Sequence, residues 1–356
     1  MTLLSLSVLL ICSGLGSALT DDDFTIFEYA KYWSKNYNGE KEFEGAQTAF
    51  KHNTDLAAEF NSQNKGFQLS VNGPFPDMSW NYFKDTILME PQDCSATKPS
   101  PKSLLQVTQD FPELPESFDW RNIPGVISEV KNQGSCGSCW TFSTTGALEA
   151  HHAIKYGSWK TPRLSEQQLV DCAQNFNNNG CDGGLPSHAF EYIHHSGGLS
   201  EEFFYPYEAS TKKCRFNPNL RARVGVQTIS SFNITQGNED DILLYLYNVG
   251  PVSVAFQVVE GFSLYKSGVY SSDICLQGAQ DVNHAVLVVG YGNARIEGET
   301  VPYWTVKNSW GKYWGEDGYF KIRRGVNMCG VATCSSFPML EKEEPIVGKK
   351  LLREAV

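Results

Sequence analysis

At 356 residues, 41% hydrophobic and 13% aromatic, the chain is long enough for two or three packed units. It is too rich in core-forming side chains to be disordered. A net charge of −11 and an isoelectric point of about 5.2 argue against nucleic acid as a partner and suit an acidic or extracellular compartment.

The chain opens with Leu3-Leu4-Ser5-Leu6-Ser7-Val8-Leu9-Leu10-Ile11, then small residues up to Ala18, which reads as a secretory signal peptide over residues 1–18. No later run approaches the ~18 apolar residues of a membrane span, so no membrane association is expected. There are ten cysteines, and Cys12 lies in that leader. The remaining odd number suits an oxidising compartment, with disulfides and one reserved thiol.

Residues 21–64 carry aromatics at helical spacing: Phe24 and Phe27, Tyr29 and Trp33, then Phe43, Phe50 and Phe60. Two amphipathic helices are predicted there. Residues 98–113 contain Pro, Ser and Lys and read as an exposed, cleavable linker.

Gln133-Gly134-Ser135-Cys136-Gly137-Ser138-Cys139-Trp140 comes next, followed by a helical stretch over 141–150. Small residues allow a tight turn, so Cys139 is expected where a loop enters a helix. Unpaired N–H groups and the helix dipole favour thiolate over thiol at that position. A Cys-x-x-Cys spacing alone leaves a redox pair, half a zinc site or two structural thiols open.

Ser165-Glu166-Gln167-Gln168 predicts a capping box opening a helix over 166–173. A further helix is predicted over 186–195, closed by Gly197, and another over 240–248 before Gly250. Apolar runs at 252–259, 285–289, 303–306 and 319–322 predict strands. Helices first and strands second give an α+β protein of two facing lobes. Residues 341–356 are charged, lack aromatics and carry no assigned role.

Cutting a peptide bond with a thiol requires an ionised sulfur, a proton donor for the leaving amine and donors for the oxyanion. Of seven histidines, His284 alone enters a clear apolar strand, in Val282-Asn283-His284-Ala285-Val286. His151-His152 and His194-His195 fall in helices and are expected at the surface. Asn308, in Val306-Lys307-Asn308-Ser309-Trp310-Gly311, is the candidate that orients the imidazole.

The string Cys136-Gly137-Ser138-Cys139-Trp140, with His284 and Asn308 downstream, resembles the papain-like cysteine proteases over about the last two thirds of the chain. That resemblance implies a papain-like fold with a helical left lobe and a β-barrel-like right lobe, preceded by a helical propeptide. Leu114-Pro115-Glu116-Ser117-Phe118-Asp119-Trp120-Arg121 resembles the start of the mature domain. The implied divisions are a propeptide at 19–113, a catalytic domain at 114–340 and a tail at 341–356. Within the catalytic domain the lobes divide at about 114–222 and 223–340.

It also implies that Cys139 is the nucleophile, resting as thiolate beside a His284 imidazolium. Asn308 would hold the second ring nitrogen, and Trp310 would shield that bond and line the leaving-group side. Gln133 and the Cys139 backbone N–H would bind the oxyanion, while Gly183-Gly184 would line the extended substrate. Carried over by motif, the bridges are Cys136–Cys181, Cys172–Cys214, Cys275–Cys329 and Cys94–Cys334. No metal or cofactor is implied.

Glu42, Phe50, Asn53 and Asn61 fall on the register of a helical pattern in propeptides of this family, and Asn72-Gly73-Pro74-Phe75-Pro76-Asp77 resembles a later propeptide turn. Glu90-Pro91-Gln92-Asp93-Cys94-Ser95-Ala96-Thr97 resembles the mini-chain of the cathepsin H and aleurain branch. That octapeptide, kept by its disulfide, implies an aminopeptidase in which a Thr97 carboxylate faces the substrate's α-ammonium. Asn233-Ile234-Thr235 is a glycosylation sequon. Expected partners are peptide and protein substrates, the propeptide as inhibitor and cystatin-type inhibitors, with a monomer in the lysosome or vacuole or secreted. The competing readings are a cathepsin L-like endopeptidase, a silent peptide-binding homologue and a thiol–disulfide oxidoreductase.

Overall fold

The computed structural model describes residues 25–94, 98–100, 113–220, 224–228 and 230–340. The expectations for the leader with Cys12, for Phe24, for Thr97, for most of the linker and for the tail fall outside the described residues. Among the described residues no helix is long and apolar enough to cross a membrane.

Two N-terminal helices form where the aromatic spacing predicts them: α1 (Ile26–Tyr32) and α2 (Glu40–Ser62). Thr25 caps α1 by accepting from Glu28 N–H, and the Glu28 carboxylate accepts from Thr25 N–H in return. In α2 the buried positions Ala46, Ala49, Phe50, Asn53 and Ala57 recur every three or four residues and form one stripe. Two asparagines of that helix fasten the chain that follows. Asn53 donates to the carbonyls of Pro76 and Met78, and Asn61 exchanges two hydrogen bonds with the Leu69 backbone. Asp77 at the end of this stretch is a hub, accepting from Tyr29 Oη at 2.9 Å, Lys35 Nζ at 2.9 Å and Tyr37 Oη at 3.2 Å.

Between these helices and the main body run β1 (Phe67–Leu69) and a third helix, α3 (Trp80–Ile87), neither of which the aromatic spacing indicates. Ser79 caps α3, and Phe83 and Ile87, four apart, form its buried edge.

The helical lobe contains α4 (Cys139–Tyr156), α5 (Glu166–Cys172) and α6 (Pro186–Ser196). Of the 18 residues of α4, 14 are buried, so it is enclosed on all sides rather than amphipathic. Buried His151 contradicts its expected surface position: its Nε2 lies 2.9 Å from Pro251 O and its ring stacks on Phe337. The α5 capping box is only half made. Ser165 accepts from Gln168 N–H, but the Gln168 side chain bonds Tyr192, Gly198 and Ser200, because it is buried and fixes that loop. Gly197, at φ 88°, ends α6 in the left-handed conformation that glycine adopts without strain.

The second lobe is a sheet flanked by α7 (Glu239–Asn248). Its strands are β2 (Phe118–Asp119), β5 (Ser230–Asn233), β6 (Val252–Phe256), β7 (Tyr265–Tyr270), β8 (His284–Ile296), β9 (Glu299–Lys307), β10 (Tyr319–Arg323) and β11 (Ser336–Met339). The order is β1-β7-β10-β9-β8-β6-β11-β5, with β2 on β8. A small separate ladder joins β3 (Leu199–Ser200) to β4 (Val224–Val226).

Two boundaries differ from expectation. The hairpin β8–β9 extends well past the apolar runs, because its outer half is exposed and carries Asn293, Arg295 and Glu299. The lobe division at 222/223 fails at the start of the domain. There Phe118 and Asp119 pair with Tyr291 and Gly290, and the Trp120 indole donates to Leu246 O at 2.7 Å. This opening segment belongs to the β lobe.

The lobes meet along α4 and β8, where Ser143 Oγ donates to Val286 O at 2.7 Å. Beneath that seam Lys131 sits between two buried carboxylates, 2.8 Å from Glu149 and 2.7 Å from Glu166.

Candidate active site

Three ends of regular structure converge at the seam. Cys139 is the first residue of α4, His284 is the first of β8, and Asn308 follows the last residue of β9. Hairpin pairing of β8 with β9 brings the latter two together, with His284 Nε2 2.8 Å from Asn308 Oδ1. Ser309 N–H also donates to that oxygen at 2.8 Å. Oδ1 is thereby fixed as the acceptor, and Nε2 carries the proton. His284 Nδ1 is buried without a hydrogen-bond partner. The Cys139 Sγ accepts from the next N–H along β8, that of Ala285, at 3.3 Å. The sulfur is therefore held against the backbone of the residue that follows His284. Trp310 lies against the ring, with centroids 4.6 Å apart and planes at 30°.

Gln133 is fully buried, and Ser309 sets its orientation. Its backbone N–H donates to Ser309 O at 2.9 Å, and its Oε1 accepts from Ser309 Oγ at 2.7 Å. The amide is thereby turned so that Nε2 donates to Ile87 O at 2.7 Å and Cys136 O at 2.8 Å. A carbonyl of the N-terminal segment thus fills the acceptor position of the Gln133 amide.

That segment lies along the cleft over Trp310 and Gln133. Phe75 and Phe83 pack edge-on against Trp310, at 5.5 and 5.3 Å. Past Ile87 the chain is extended and donates in turn to the carbonyls lining the groove. Met89 N–H bonds Asn283 O at 3.1 Å, Glu90 N–H bonds Asp182 O at 2.9 Å, Gln92 N–H bonds Val282 O at 3.0 Å, and Cys94 N–H bonds Ala279 O at 2.8 Å. Gly183 permits this approach, since a Cβ there would lie 2.6 Å from Gln92 Nε2 and 2.9 Å from Met89 Cβ. Gly184 packs instead on Trp140 and Asn178. The segment ends in a disulfide from Cys94 to Cys334, with Cα atoms 5.5 Å apart. Phe75, Phe83, Ile87, Asn283 and Ser309 were not singled out from sequence. The turn around Asn72–Asp77 is the signal that could have led to the first of them.

Cys136 is bonded to Cys181, Cys172 to Cys214 and Cys275 to Cys329, leaving Cys139 as the free cysteine among the described residues. Cys136 and Cys139 therefore form neither a redox disulfide nor a zinc thiolate pair.

The expected resting ion pair does not hold in this covered form. Burial pushes the Cys139 thiol up to about 12, against the opposing N–H groups of Ala285, Trp140 and Cys139 itself. Burial pulls His284 down to about 4, against its bond to Asn308. Both side chains have no solvent exposure. Desolvation outweighs the head of α4, and thiol and imidazole rest neutral beneath the segment. Asn233 lies at the end of β5, and its Nδ2 donates to Lys98 O at 3.1 Å.

Residues 114–339 match the model of the papain family cysteine proteases. The chain is 48% identical over 318 residues to thiol protease aleurain of Arabidopsis thaliana, covering 88% of this chain and 84% of that protein. It is 47% identical over 336 residues to pro-cathepsin H of Mus musculus, covering 93% and 95%. Among solved structures it resembles digestive procathepsin L 3 of Tenebrio molitor larval midgut, with TM-score 0.76 and 36% identity over 88% of this chain and 97% of that one. Recombinant stem bromelain precursor gives TM-score 0.74 and 31% identity over the same shares. These proforms share the fold with their N-terminal segments included, so the covering segment here is a propeptide. The chain belongs to the papain family of cysteine proteases and is a cathepsin H- and aleurain-like cysteine peptidase.

Proposed function

We propose that the processed protein is an aminopeptidase whose cleft is narrowed by residues 90–97. The observation carrying this reading is the Cys94–Cys334 disulfide at the end of a segment lying along the groove. Met89 is bonded to Asn283, the neighbour of His284, whereas Glu90, Gln92 and Cys94 are bonded to Asp182, Val282 and Ala279. A cut between Met89 and Glu90 would empty the position beside Cys139 and leave the octapeptide across the groove beyond it. A substrate would then fit only with its free amino terminus near the catalytic cysteine.

In the chemistry proposed, Cys139 passes its proton to His284 Nδ1 once water re-enters, and the thiolate attacks the carbonyl carbon. Gln133 Nε2 and the Cys139 N–H bind the oxyanion. His284 returns its proton to the departing amine as the C–N bond breaks, leaving a thioester. Water, deprotonated by His284, attacks the thioester carbonyl. The S–C bond breaks, the acid leaves and the thiol is restored. Asn308 holds the ring in the tautomer that these steps need.

Residues 19–113 would inhibit until cleaved, with 114–340 as the catalytic domain. Four disulfides suit the secretory pathway, and a lysosomal or vacuolar destination is proposed by likeness to the relatives. A glycan on Asn233, cystatin-type inhibitors and a monomeric state belong to the same proposal.

Acid-processed protein assayed on a free-amino aminoacyl-coumarin and an N-blocked dipeptidyl-coumarin tests the reading. Preference for the free amine, abolished by thiol alkylation, is expected. Preference for the blocked substrate would make the protein an endopeptidase, and no activity on either would make it a silent homologue.

A further inference from the structure

The two oxyanion donors proposed above sit on one loop, residues 133–139, that belongs to neither sheet nor helix until α4 begins. Ser138 is the N-cap of α4, yet its side chain makes no capping bond to that helix. Its hydroxyl instead lies 2.6 Å from the phenol oxygen of Tyr207. The same oxygen lies 2.7 Å from Gln133 O. A carbonyl can only accept, so the single phenolic proton goes to Gln133 and the Ser138 hydroxyl must be the donor to Tyr207. One side-chain oxygen thus bridges the residue carrying the amide donor and the residue preceding the Cys139 N–H.

Tyr207 is itself fixed from two sides. Its ring meets Phe142, one turn into α4, edge-on at 5.0 Å and 80°. Its backbone N–H donates to Glu202 Oε1 at 2.9 Å. Gln133 and Ser138 are both fully buried in the covered form, where the phenol meets them out of contact with solvent. Ser309 orients the Gln133 amide from the opposite side, and within the loop Cys136 O accepts from Gln133 Nε2 at 2.8 Å and from Ser138 N–H at 2.7 Å.

We propose that Tyr207 is a positioning residue for the oxyanion hole, its hydroxyl fixing the separation between the Gln133 amide and the Cys139 N–H. This rests on the assignment of those two groups as the oxyanion donors. Charge develops on the substrate oxygen only in the transition state, and donors must meet it at about 2.7–3.1 Å. Displacing the loop would leave the thiol and imidazole in place and weaken only that stabilisation.

Three readings on the processed enzyme separate this from a general structural role. Amide hydrolysis needs the hole. A peptide aldehyde also needs it, because Cys139 adds to its carbonyl to give a hemithioacetal whose oxygen lies there. Iodoacetamide does not, because the sulfur bonds to a saturated carbon as iodide leaves. Tyr207→Phe keeps the ring contact with Phe142 and removes both hydrogen bonds. It is expected to lower kcat about tenfold with KM within about twofold, and to raise the aldehyde Ki by a similar factor, as for a sub-ångström misplacement of a donor. The alkylation rate of Cys139 should keep its wild-type value and pH profile.

Ser138→Ala, which breaks one of the two bonds, should show the same pattern at about a third of the effect, and the double variant should be no worse than Tyr207→Phe alone. Alkylation falling in parallel with hydrolysis, unchanged kcat and Ki, or multiplicative loss in the double variant would overturn the proposal. Gln133→Ala is the control. If it retains full hydrolysis, the oxyanion assignment itself fails. If it loses hydrolysis while Tyr207→Phe and Ser138→Ala do not, the role of Tyr207 alone fails.

Discussion

Separating Cys94 from Cys334 should convert the enzyme's specificity, because little besides the disulfide would retain the octapeptide. After cleavage ahead of Glu90, the backbone N–H groups of Glu90, Gln92 and Cys94 still donate to the groove. Each contributes about 1 kcal/mol net, together roughly 3 kcal/mol. Ordering a residue's backbone costs about 1–2 kcal/mol, which cancels that gain over a peptide of this length. An untethered octapeptide would therefore bind with a Kd weaker than about 1 mM. At about 10 nM enzyme, and as much peptide, fewer than roughly one site in 10⁵ would be filled. A variant carrying Cys94→Ser and Cys334→Ser should lose the octapeptide completely after processing, seen as its absence in the intact mass. The ratio of kcat/KM for the blocked dipeptidyl substrate to that for the free-amino substrate should rise by an order of magnitude or more. A variant that has lost the octapeptide by mass, yet keeps the wild-type ratio, would refute the reasoning.

The remaining predictions concern the supports around the cleft. Burial raises the Glu202 carboxyl to about 7, so the fold favours its protonated form. Its contribution is intact below about pH 4.5 and is lost as pH rises through 7. After allowance for its partial exposure, Glu202→Gln should stabilise by roughly 1 kcal/mol at pH 7.5 and by nothing measurable at pH 4.5, read from urea midpoints. A gain at pH 4.5 equal to that at pH 7.5 would contradict this. Asp77 gathers Tyr29, Lys35 and Tyr37, so Asp77→Ala removes an acceptor from all three, although Tyr29 and Lys35 keep Pro74 O at 3.0 Å. A peptide of residues 19–89 with that change should inhibit the processed enzyme about 10–100-fold more weakly than the unchanged peptide, from a loss of about 2–3 kcal/mol. Equal inhibition constants would exclude the hub as a determinant of propeptide binding.

What could be read from sequence was local. The residues around Cys139 state their turn, their helix and their small neighbours within a few positions. His284 and Asn308 sit at the ends of apolar runs that pair with each other. What could not be read was tertiary. Phe75 and Phe83 are ordinary aromatics until Trp310 is opposite them, and Ser309 and Tyr207 matter only because Gln133 lies between them. The outer half of β8 carries polar residues that interrupt the apolar pattern, and Phe118 joins a sheet whose other strands begin far along the chain. The protonation of the catalytic pair in the covered form is not legible in the sequence for the same reason. The head of a helix favours a thiolate, but the propeptide removes the water that would stabilise it.

The most direct measurement is the pH dependence of Cys139 alkylation by iodoacetamide in the zymogen and in the processed enzyme, followed by peptide mass. Cys139 should be nearly inert in the zymogen between pH 6 and 8. In the processed enzyme it should react rapidly and keep reacting down to about pH 5, where an ordinary thiol of pKa about 8.5 is protonated. A processed enzyme whose rate climbs tenfold per pH unit up to about pH 8.5, or a zymogen that reacts as fast as its product, would contradict a Cys139 thiolate released by departure of the propeptide.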